Sequence, residues 1–263
     1  MRLKDKVIVV AGAGQAKGDG VGNGRAAAIQ FAREGAKLLI SNRSRESLEE
    51  TQRLIRAEGF DAEAVVADVT VEDDCETLVS AAVERFGRLD VLHNNVGSGT
   101  ADGNTVAIDY EGWKSTFETN IGGAMLLSKH ALPPMRDQGQ GVITHVSSVA
   151  AIASLPLIGY KTSKAALHEF TRWLAFENAP HNIRCNVLML GYIDTPLAIE
   201  AYHTMTGRPR EEIRAERNAA VPMGRMGTPW EVASAAVFVA SDECPFLTGA
   251  VLPIDGGMHT RQG

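Results

Sequence analysis

Residues 6–35 read KVIVVAGAGQAKGDGVGNGRAAAIQFAREG, and this stretch decides the fold of the chain. It begins with Lys6–Ala11, a short apolar and β-branched run of the kind expected for a strand buried on both faces. A glycine-rich loop follows at once. A helix is then predicted to start at Gly24 and to end at Gly35.

A strand, a glycine loop and a helix in this order make a cradle for phosphate groups. Glycines let the backbone approach a pyrophosphate closely, and the helix start offers unpaired N–H groups and the positive end of its dipole. We therefore assign Gly12, Gly22 and Gly24 to a dinucleotide site. A flexible loop is the alternative, since a glycine triplet alone has low specificity, but the position between the first strand and the first helix favours binding.

The second predicted strand, Lys37–Ser41, ends in Asn42 and Arg43, where a dinucleotide site reads the adenosine ribose. An acidic residue there accepts hydrogen bonds from both ribose hydroxyls and selects NAD, whereas a basic residue pairs with a 2'-phosphate. Because the acid is missing and Arg43 is present, the sequence favours NADP. NAD stays open, because an exposed arginine after a strand is common.

Strands and helices alternate along most of the chain. The predicted strands are Lys6–Ala11, Lys37–Ser41, Ala62–Ala67, Leu89–His93, Val142–Val146, Arg184–Leu190 and Ala250–Ile254. Right-handed βαβ units of this kind build one parallel sheet, with ligands at the carboxyl ends of the strands. We predict an α/β fold: a Rossmann-type, doubly wound parallel sheet of about seven strands with helices on both faces, in a single domain of residues 1–263.

Capping signals and prolines indicate where several helices begin and end. Thr70-x-x-Asp73 and Thr228-Pro229-Trp230-Glu231 each predict a capping box. A long helical pattern that contains Asn120 is expected to end near Pro133-Pro134. The segment 196–222 has no place in the alternation, and we predict that it is a substrate lid.

Composition and charge exclude several classes of protein. The chain has 263 residues and a formal net charge of -6, without a block of like charges, so nothing indicates a nucleic-acid or membrane partner. The N-terminus lacks a signal-peptide pattern, and no apolar run reaches membrane-spanning length. The three cysteines and seven histidines form no metal-binding spacing. We expect a cytoplasmic protein without a structural metal.

Ser147-Ser148 follows the fifth predicted strand, and Tyr160 lies twelve residues after the second serine. On a helix, Tyr160 and Lys164 are one turn apart on the same face, about 6 Å along the axis, which sets an ammonium group beside a phenol. A nearby cation lowers a phenol's pKa toward neutrality, where acid/base catalysis is most effective. A hydroxyl from Ser148 is placed to hold a substrate oxygen against the phenol.

The same spacing occurs a second time, which shows that the pattern alone is weak. Tyr110 and Lys114 form another Tyr-x-x-x-Lys, and Ser98 lies twelve residues before Tyr110. Only one of the two constellations fits a single active site.

Two other predicted strand ends carry polar side chains with open roles. Asp68 either accepts a hydrogen bond from the adenine amino group or caps a turn, and the two interpretations are equally supported. Asn94-Asn95-Val96-Gly97 follows strand four, where the amides either contact a nucleotide or form an ordinary turn.

In this order the motifs resemble the classical short-chain dehydrogenase/reductase family over essentially the full length of the chain. The matching residues are the glycine loop ending in Gly22-Asn23-Gly24, Asp68-Val69, Asn94-Asn95-Val96-Gly97, Asn120, Ser148, Tyr160-x-x-x-Lys164, Gly191-x-Ile193-x-Thr195-Pro196 and Asp255-Gly256-Gly257.

The resemblance implies a role for each member of a catalytic tetrad. Tyr160 is the acid/base, Ser148 orients the substrate oxygen, Lys164 binds the nicotinamide ribose and lowers the pKa of the tyrosine, and Asn120 holds a water in a proton relay. It also implies a homotetramer or homodimer. The cofactor site is then assigned to Gly12, Gly22, Gly24, Asn42, Arg43, Asp68, Val69, Asn95, Gly97, Tyr160, Lys164, Gly191, Ile193 and Thr195.

The family pattern also decides between the two tyrosines. In that pattern Ser98 falls in a loop, and Gly112 is expected to interrupt the helix of the second pair. We therefore expect Tyr110 and Lys114 to lie on a solvated helix start.

The chain departs from the family pattern in three places. Residues 15–20 look like an insertion, because Gly12 and Gly22 are ten apart where the family usually has four. The usual Pro-Gly after strand six is Leu190-Gly191. The serine precedes the tyrosine by twelve residues where thirteen is frequent, which keeps Ser147 as a second candidate.

We expect an NAD(P)-dependent oxidoreductase that interconverts a secondary alcohol and a ketone. Beside Ser148, the candidate substrate residues are Ser98, Ala150, Ile152, Leu155, Tyr192, Leu197, Tyr202 and Met205. Most are apolar, which favours a mainly hydrophobic substrate, although several of them are equally well explained as core. The alternatives are a non-catalytic nucleotide-sensing protein of the same fold and a reductase or isomerase that acts on another group.

Overall fold

Seven parallel strands form one sheet at the centre of the computed structural model, which describes residues 1–99, 102–153 and 156–260. They are β1 (Val7–Ala11), β2 (Lys37–Asn42), β3 (Ala62–Val66), β4 (Val91–Asn94), β5 (Gly141–Ser148), β6 (Ile183–Leu190) and β7 (Val251–Ile254). The order across the sheet is β3-β2-β1-β4-β5-β6-β7. The prediction of a doubly wound parallel sheet of about seven strands is confirmed.

Winding reverses between β1 and β4, so the strand order has its switch point there. Ala11 pairs with Asn94 across this point, and Ser148 pairs with Leu190 at the end of the neighbouring β5–β6 ladder. In open α/β sheets, ligands bind in the crevice beyond the carboxyl ends of the strands at the switch point. The glycine loop after β1, the amides after β4 and the serines of β5 therefore lie along one edge.

Helices cover both faces of the sheet. They are α1 (Asn23–Arg33), α2 (Arg45–Ala57), α3 (Glu72–Phe86), α4 (Tyr110–Phe117), α5 (Gly123–Asp137), α6 (Ile158–Asn178), α7 (Pro196–Thr206), α8 (Arg210–Ala220) and α9 (Pro229–Ala240). In the parts of the chain that the structure describes, no helix is both long enough and apolar enough to cross a membrane.

Two apolar layers hold the helices against the sheet. On one face Phe31 of α1 and Val237 of α9 pack with side chains of β1 and β2. On the other face Leu78 of α3 and Leu127 of α5 pack with Val9 and its neighbours. Fully burying one such side chain stabilises the folded state by about 1.5–3 kcal/mol. Strand β1 is buried along its whole length, so both layers are needed to cover it.

One predicted capping box is confirmed, and the other is wrong. Thr228 accepts a hydrogen bond from the N–H of Glu231, whose side chain accepts from the N–H of Thr228. In contrast, α3 starts at Glu72, and the hydroxyl of Thr70 donates to Asp68 Oδ1 at 2.7 Å. Thr70 is used by the turn after β3, so the acidic residues of the first turn of α3 stabilise its N-terminus instead.

The helix after Asn120 does not end near Pro133-Pro134, contrary to the prediction. Both prolines lie inside α5, which continues to Asp137. Met135 is fully buried, and the carbonyl of Pro134 accepts a hydrogen bond from the N–H of Gln138. Packing of this last turn against the sheet outweighs the missing proline donors.

Two buried histidines lie in the central strands. His93 is 1% exposed, its ring meets Phe31 edge-on, and neither ring nitrogen has a hydrogen-bond partner among the described residues. Burial lowers the pKa of His93 to about 4. His145 in β5 contacts Asn94 and Ser128, and burial lowers its pKa to about 3.

These histidines predict a loss of stability in acid. The unfolded chain binds their protons below about pH 6.5, whereas the folded chain stays neutral until about pH 4 at His93. The free energy of unfolding therefore falls as the pH drops through this window, by about 1.4 kcal/mol per pH unit for each histidine. Denaturant titrations of the His93→Leu variant should show a shallower fall, with the exposed His181→Leu as control. If the free energy of unfolding of His93→Leu falls with decreasing pH as steeply as that of the wild type, His93 does not contribute to the loss of stability in acid.

Candidate active site

The last two residues of β5 face different surroundings. Ser148 is partly exposed, and its Oγ accepts a hydrogen bond from the N–H of Ala150 at 3.1 Å. Ser147 is only 3% exposed, and its Oγ lies 2.8 Å from Nε2 of His168. Side chains alternate in direction along a strand, so only one of the two serines faces the site. This geometry favours Ser148 over Ser147 as the residue that holds a substrate oxygen.

Lys164 connects α6 to β5. It lies one turn after Tyr160 on α6, is 2% exposed, and its ammonium donates to the carbonyl of Val146 at 2.9 Å. Its Nζ is 5.8 Å from the centroid of the Tyr160 ring. Burial lowers the pKa of Lys164 to about 8. The ammonium is thus held between the tyrosine and the strand that carries Ser148.

The pKa of Tyr160 moves in the direction opposite to the expectation. Burial raises the pKa of this phenol, and a hydrogen bond with Ser148 opposes the rise only in part. In the protein chain itself the pKa of Tyr160 is therefore raised, while the ammonium of Lys164 stands over the ring and donates to a carbonyl group. Tyr160 therefore keeps its proton at neutral pH, as a proton donor must.

A π-helical turn, Glu118–Gly122, separates α4 from α5 and holds Asn120. The Asn120 side chain is buried: Oδ1 accepts from the N–H of Ser98 at 2.8 Å, and Nδ2 donates to the carbonyl of Ser98 and to Ser163 Oγ, each at 2.9 Å. Such turns recur at functional sites. Asn120 thereby links the loop after β4 to the helix that carries Tyr160.

The second Tyr-x-x-x-Lys lies on a solvated helix start, as predicted. Tyr110 begins α4 and is 67% exposed, and Lys114 pairs with Glu111 at 3.0 Å. The expected interruption at Gly112 is wrong, because α4 continues through this glycine, whose N–H donates to the capping carboxylate of Asp109.

A residue that the sequence analysis missed fixes the start of the catalytic helix. The N-cap position of α6 has no side-chain cap of its own. Instead, Asp102 accepts hydrogen bonds from the N–H groups of Gly159, at 2.9 Å, and of Tyr160 itself. The N–H of Ile158 adds a bond to the carbonyl of Gly103. Two unpaired donors of the first turn are thus satisfied by a carboxylate 57 and 58 residues earlier in the chain.

An open groove of about 840 Å³ lies at the carboxyl edge of β1 to β4. The predicted cofactor residues that line it are Gly12, Asn42, Arg43, Asp68, Val69, Asn95 and Gly97. The residues not predicted are Gln15, Ala16, Ser41, Ala67, Val96 and Thr119, and Leu197 was predicted for the substrate instead. Most of these lie next to a predicted residue in the sequence, so extending each motif by one position finds them.

The glycines and one polar atom of this groove fit a dinucleotide. A Cβ on Gly24 would lie 1.9 Å from the carbonyl oxygen of Gly12, and one on Gly97 would lie 2.7 Å from Nζ of Lys164. The hydroxyl of Ser41 is buried and has no hydrogen-bond partner among the described residues, although Ser41 lines the groove. The Gly24 contact is the close packing of α1 on the loop after β1 that a dinucleotide-binding fold uses, and the unpaired hydroxyl offers a hydrogen-bond partner to a ligand.

The six-residue insertion joins the groove to α7: Gln15 and Ala16 line the groove, and Gly18 and Gly20 lie against α7. Gln15 anchors it: its N–H donates to Ser47 Oγ at 2.8 Å, and its Oε1 accepts from the N–H of Gly22 at 3.0 Å. The N–H of Gly22 is therefore already paired, and Gly22 is the N-cap of α1. Farther along, Gly18 lies so close to Glu200 that an added Cβ would be 2.5 Å from its Cγ.

Arg43 and Asp68 meet at the end of the groove that follows β2 and β3. Arg43 is 68% exposed, and its Nη1 lies 3.5 Å from Oδ2 of Asp68. The other carboxylate oxygen of Asp68 accepts from the N–H and hydroxyl of Thr70. Asp68 therefore caps a turn, which was one of its two predicted roles, and it also lines the groove.

Three predicted cofactor residues lie beyond β6, outside the lining of this groove. Gly191 packs directly against Asp255, since an added Cβ would be 2.7 Å from its Cα. Ile193 is buried and bridges to Gly227. Thr195 caps α7 by accepting from the N–H of Ala198.

The predicted substrate residues differ in their surroundings. Those with exposed or partly exposed side chains are Ile152, Tyr192, Leu197, Tyr202 and Met205. Ala150 is 2% exposed, and its N–H is bound to Ser148. Leu155 lies outside the described residues.

The Asp102 cap predicts a selective effect on activity. Asp102→Ala removes both acceptors from α6 and should cost about 1 kcal/mol of stability while lowering kcat at least tenfold, with KM for the dinucleotide unchanged. Asp109→Ala, which removes the cap of α4, is the control: it should cost similar stability and leave kcat unchanged. Equal kcat values in the two variants contradict a positioning role for Asp102.

Comparison with known proteins places this geometry in a family. The family described as Enoyl-(Acyl carrier protein) reductase matches residues 14–259. A 3-oxoacyl-[acyl-carrier-protein] reductase of Thermotoga maritima is 36% identical over 261 residues, which are 98% of this chain and 99% of the relative.

Solved structures agree over the whole chain. A putative short-chain dehydrogenase/reductase from Burkholderia xenovorans is 38% identical with a TM-score of 0.94, covering 100% of this chain and 99% of that one. An actinorhodin polyketide ketoreductase variant with NADPH is 30% identical with a TM-score of 0.90, covering 98% of each chain. The chain belongs to the classical short-chain dehydrogenase/reductase family, and it is an oxidoreductase of that family.

Proposed function

We propose that this protein is an NAD(P)-dependent ketoreductase that interconverts a ketone and a secondary alcohol. The proposal is carried by the placement of the buried Tyr160 beside Ser148: the serine hydroxyl interacts with the phenol, and the raised pKa of the phenol keeps a proton on it to donate. Two similar proteins bear the names of a 3-oxoacyl reductase and a polyketide ketoreductase, which supports the same type of reaction.

Each residue of the site has its own task in ketone reduction. Ser148 donates a hydrogen bond to the carbonyl oxygen, and Tyr160 delivers a proton to that oxygen as negative charge develops on it. Lys164 holds a positive charge near the phenol, and Asn120 fixes the backbone around Ser98 and Ser163. When bound, NAD(P)H supplies the hydride.

We propose a mainly apolar substrate under a lid of residues 196–222. Ile152 is 55% exposed and Leu197 is 52% exposed, which leaves apolar surface beside Ser148 and the groove. The lid consists of α7 and α8, whose side chains Ile199 and Ile213 form a small apolar cluster with Met226 and Tyr192, separate from the two main layers. An element packed separately from the main core is suited to opening and closing.

The proposed reaction predicts a sharp contrast between two tyrosines. In a panel of cyclic and aromatic ketones, followed by the absorbance of NADPH, the wild type should turn over several, and Tyr160→Phe should lower kcat by about 10²–10⁴ because the proton donor is lost. Tyr110→Phe, the second Tyr-x-x-x-Lys, should keep wild-type kcat. Equal losses in both variants, or none in Tyr160→Phe, contradict the assignment. No turnover of any ketone favours the nucleotide-sensing alternative.

We propose that NADP is preferred over NAD. The support is Arg43, an exposed guanidinium at the end of β2 that lines the groove, beside Asn42 where an NAD-selective site carries an acid. The ion pair with Asp68 is long, at 3.5 Å, and leaves the guanidinium edge available to a 2'-phosphate.

This preference is testable without turnover. Isothermal titration should show that Arg43→Ala weakens binding of 2',5'-ADP at least tenfold and leaves AMP binding unchanged, because only the former carries the 2'-phosphate. The exposed Arg45→Ala, whose guanidinium pairs with Glu49, is the control and should change neither. Similar affinities of Arg43→Ala and wild type for 2',5'-ADP contradict the proposal.

We also propose a homotetramer or homodimer. Trp173 and Phe176 on α6 are 59% and 74% exposed and pack on each other, with ring centroids 5.7 Å apart. An exposed aromatic pair of this kind supports an interface between copies of the chain.

A further inference from the structure

The lid contains four arginines, and three of them are paired with carboxylates. Arg208 lies 2.6 Å from Glu216, Arg210 lies 2.6 Å from Glu200, and Arg214 lies 3.4 Å from Asp194. The remaining acids near the lid are also engaged: Glu211 pairs with Arg214, and Glu212 with Arg208. Each carboxylate of this region is thus already matched to an arginine other than Arg217.

Arg217 is the fourth arginine, and it is held by aromatic rings. Its guanidinium carbon lies 4.9 Å from the ring centroid of Tyr192 and 4.3 Å from that of Tyr202. Among the described residues Arg217 has neither an ion pair nor a hydrogen bond. None of its nitrogens is fully buried. Its N–H groups therefore reach solvent. Stacking on aromatic faces leaves the edge of a guanidinium open to bind an anion in a bidentate manner.

The position of Arg217 connects it to the substrate side of the site. On α8 it lies one turn after Ile213, which is buried against Ile199 of α7, so both side chains point toward α7. Tyr192 follows Gly191 directly beyond β6. Tyr202 lies five residues after Leu197, about 7.5 Å along α7, and Leu197 lines the groove. Tyr192 and Tyr202 are both predicted substrate residues, so the stack joins the segment 196–222 to the proposed substrate side of the site.

We propose that Arg217, clamped by Tyr192 and Tyr202, binds an anionic group of the substrate, a carboxylate or a phosphate, at the outer end of the pocket. This inference rests on the proposed ketoreductase function and narrows it to oxo compounds with an apolar body and one anionic end. Stacking restricts the guanidinium before binding, so less side-chain entropy is lost when two parallel N–H···O bonds form.

The inference is tested by binding probes that share one apolar chain. Hexanoate, hexyl phosphate and hexanamide are titrated into the enzyme saturated with NADP⁺, in the wild type and in Arg217→Gln. The wild type should bind at least one of the two anions about tenfold or more tighter than hexanamide. Arg217→Gln should lose this preference while its affinity for hexanamide stays unchanged. Preference for hexanoate identifies a carboxylate, and preference for hexyl phosphate identifies a phosphate.

Two further variants separate recognition from packing. Arg208→Gln removes an arginine that is already paired, and it should keep the wild-type preference. Arg217→Lys keeps the positive charge but lacks the planar guanidinium, and it should retain only part of the preference for the anion. A wild type without a preference for either anion overturns the inference, as does an Arg217→Gln variant that keeps the preference.

The binding probes do not depend on turnover, so failure of this inference is distinguishable from failure of the proposed reaction. If neutral ketones are reduced but the anion preference is absent, only the role of Arg217 is wrong. If the Arg217-dependent preference is present but no ketone is reduced, only the reaction is wrong. The kinetic counterpart is the ratio of kcat/KM for 6-oxoheptanoate to that for its methyl ester, which should fall at least tenfold in Arg217→Gln.

Discussion

The site depends on one buried ion–dipole contact, the hydrogen bond from the ammonium of Lys164 to the carbonyl of Val146 at 2.9 Å. This bond ties α6 to β5 two residues before Ser148. Desolvation works against the charge and lowers the pKa of Lys164 to about 8, so the site carries a real energetic cost for keeping a cation there. The contact makes the tyrosine of a helix and the serine of a strand meet in a fixed geometry. It also accounts for Gly97, because any side chain at that position would occupy the space of the ammonium.

Several features of the fold and of the site were predictable because their signals are local. The burial of β1, the capping box at Thr228 and the choice of Tyr160 over Tyr110 follow from periodicity, cap chemistry and the order of motifs. Asp102 was not predictable, because its bond to the N–H of Tyr160 spans 58 residues and no spacing rule connects the two. The same holds for the pKa of Tyr160, whose direction depends on how burial and the placement of Lys164 balance in three dimensions.

One departure from the family pattern, the insertion of residues 15–20, contacts the segment 196–222. The insertion brings Gly18 against Glu200 of α7, and Glu200 is bonded to Arg210 of α8. The glycine loop and the segment 196–222 are therefore in direct contact in this chain. Arg217 belongs to the same segment, whereas the residues of the proposed tetrad are held by the sheet and α6. This division explains why the reaction type is easier to infer than the substrate.

In the proposed reaction, hydride and proton are delivered across the carbonyl group held by Ser148 and Tyr160. The most direct measurement follows deuterium from 4-deuterated NADPH into the product of an α,β-unsaturated ketone such as cyclohex-2-enone. The account predicts one deuterium at the carbinol carbon of the allylic alcohol, and loss of that product in Tyr160→Phe. Deuterium on the former alkene carbon, with the carbonyl group retained, would contradict it.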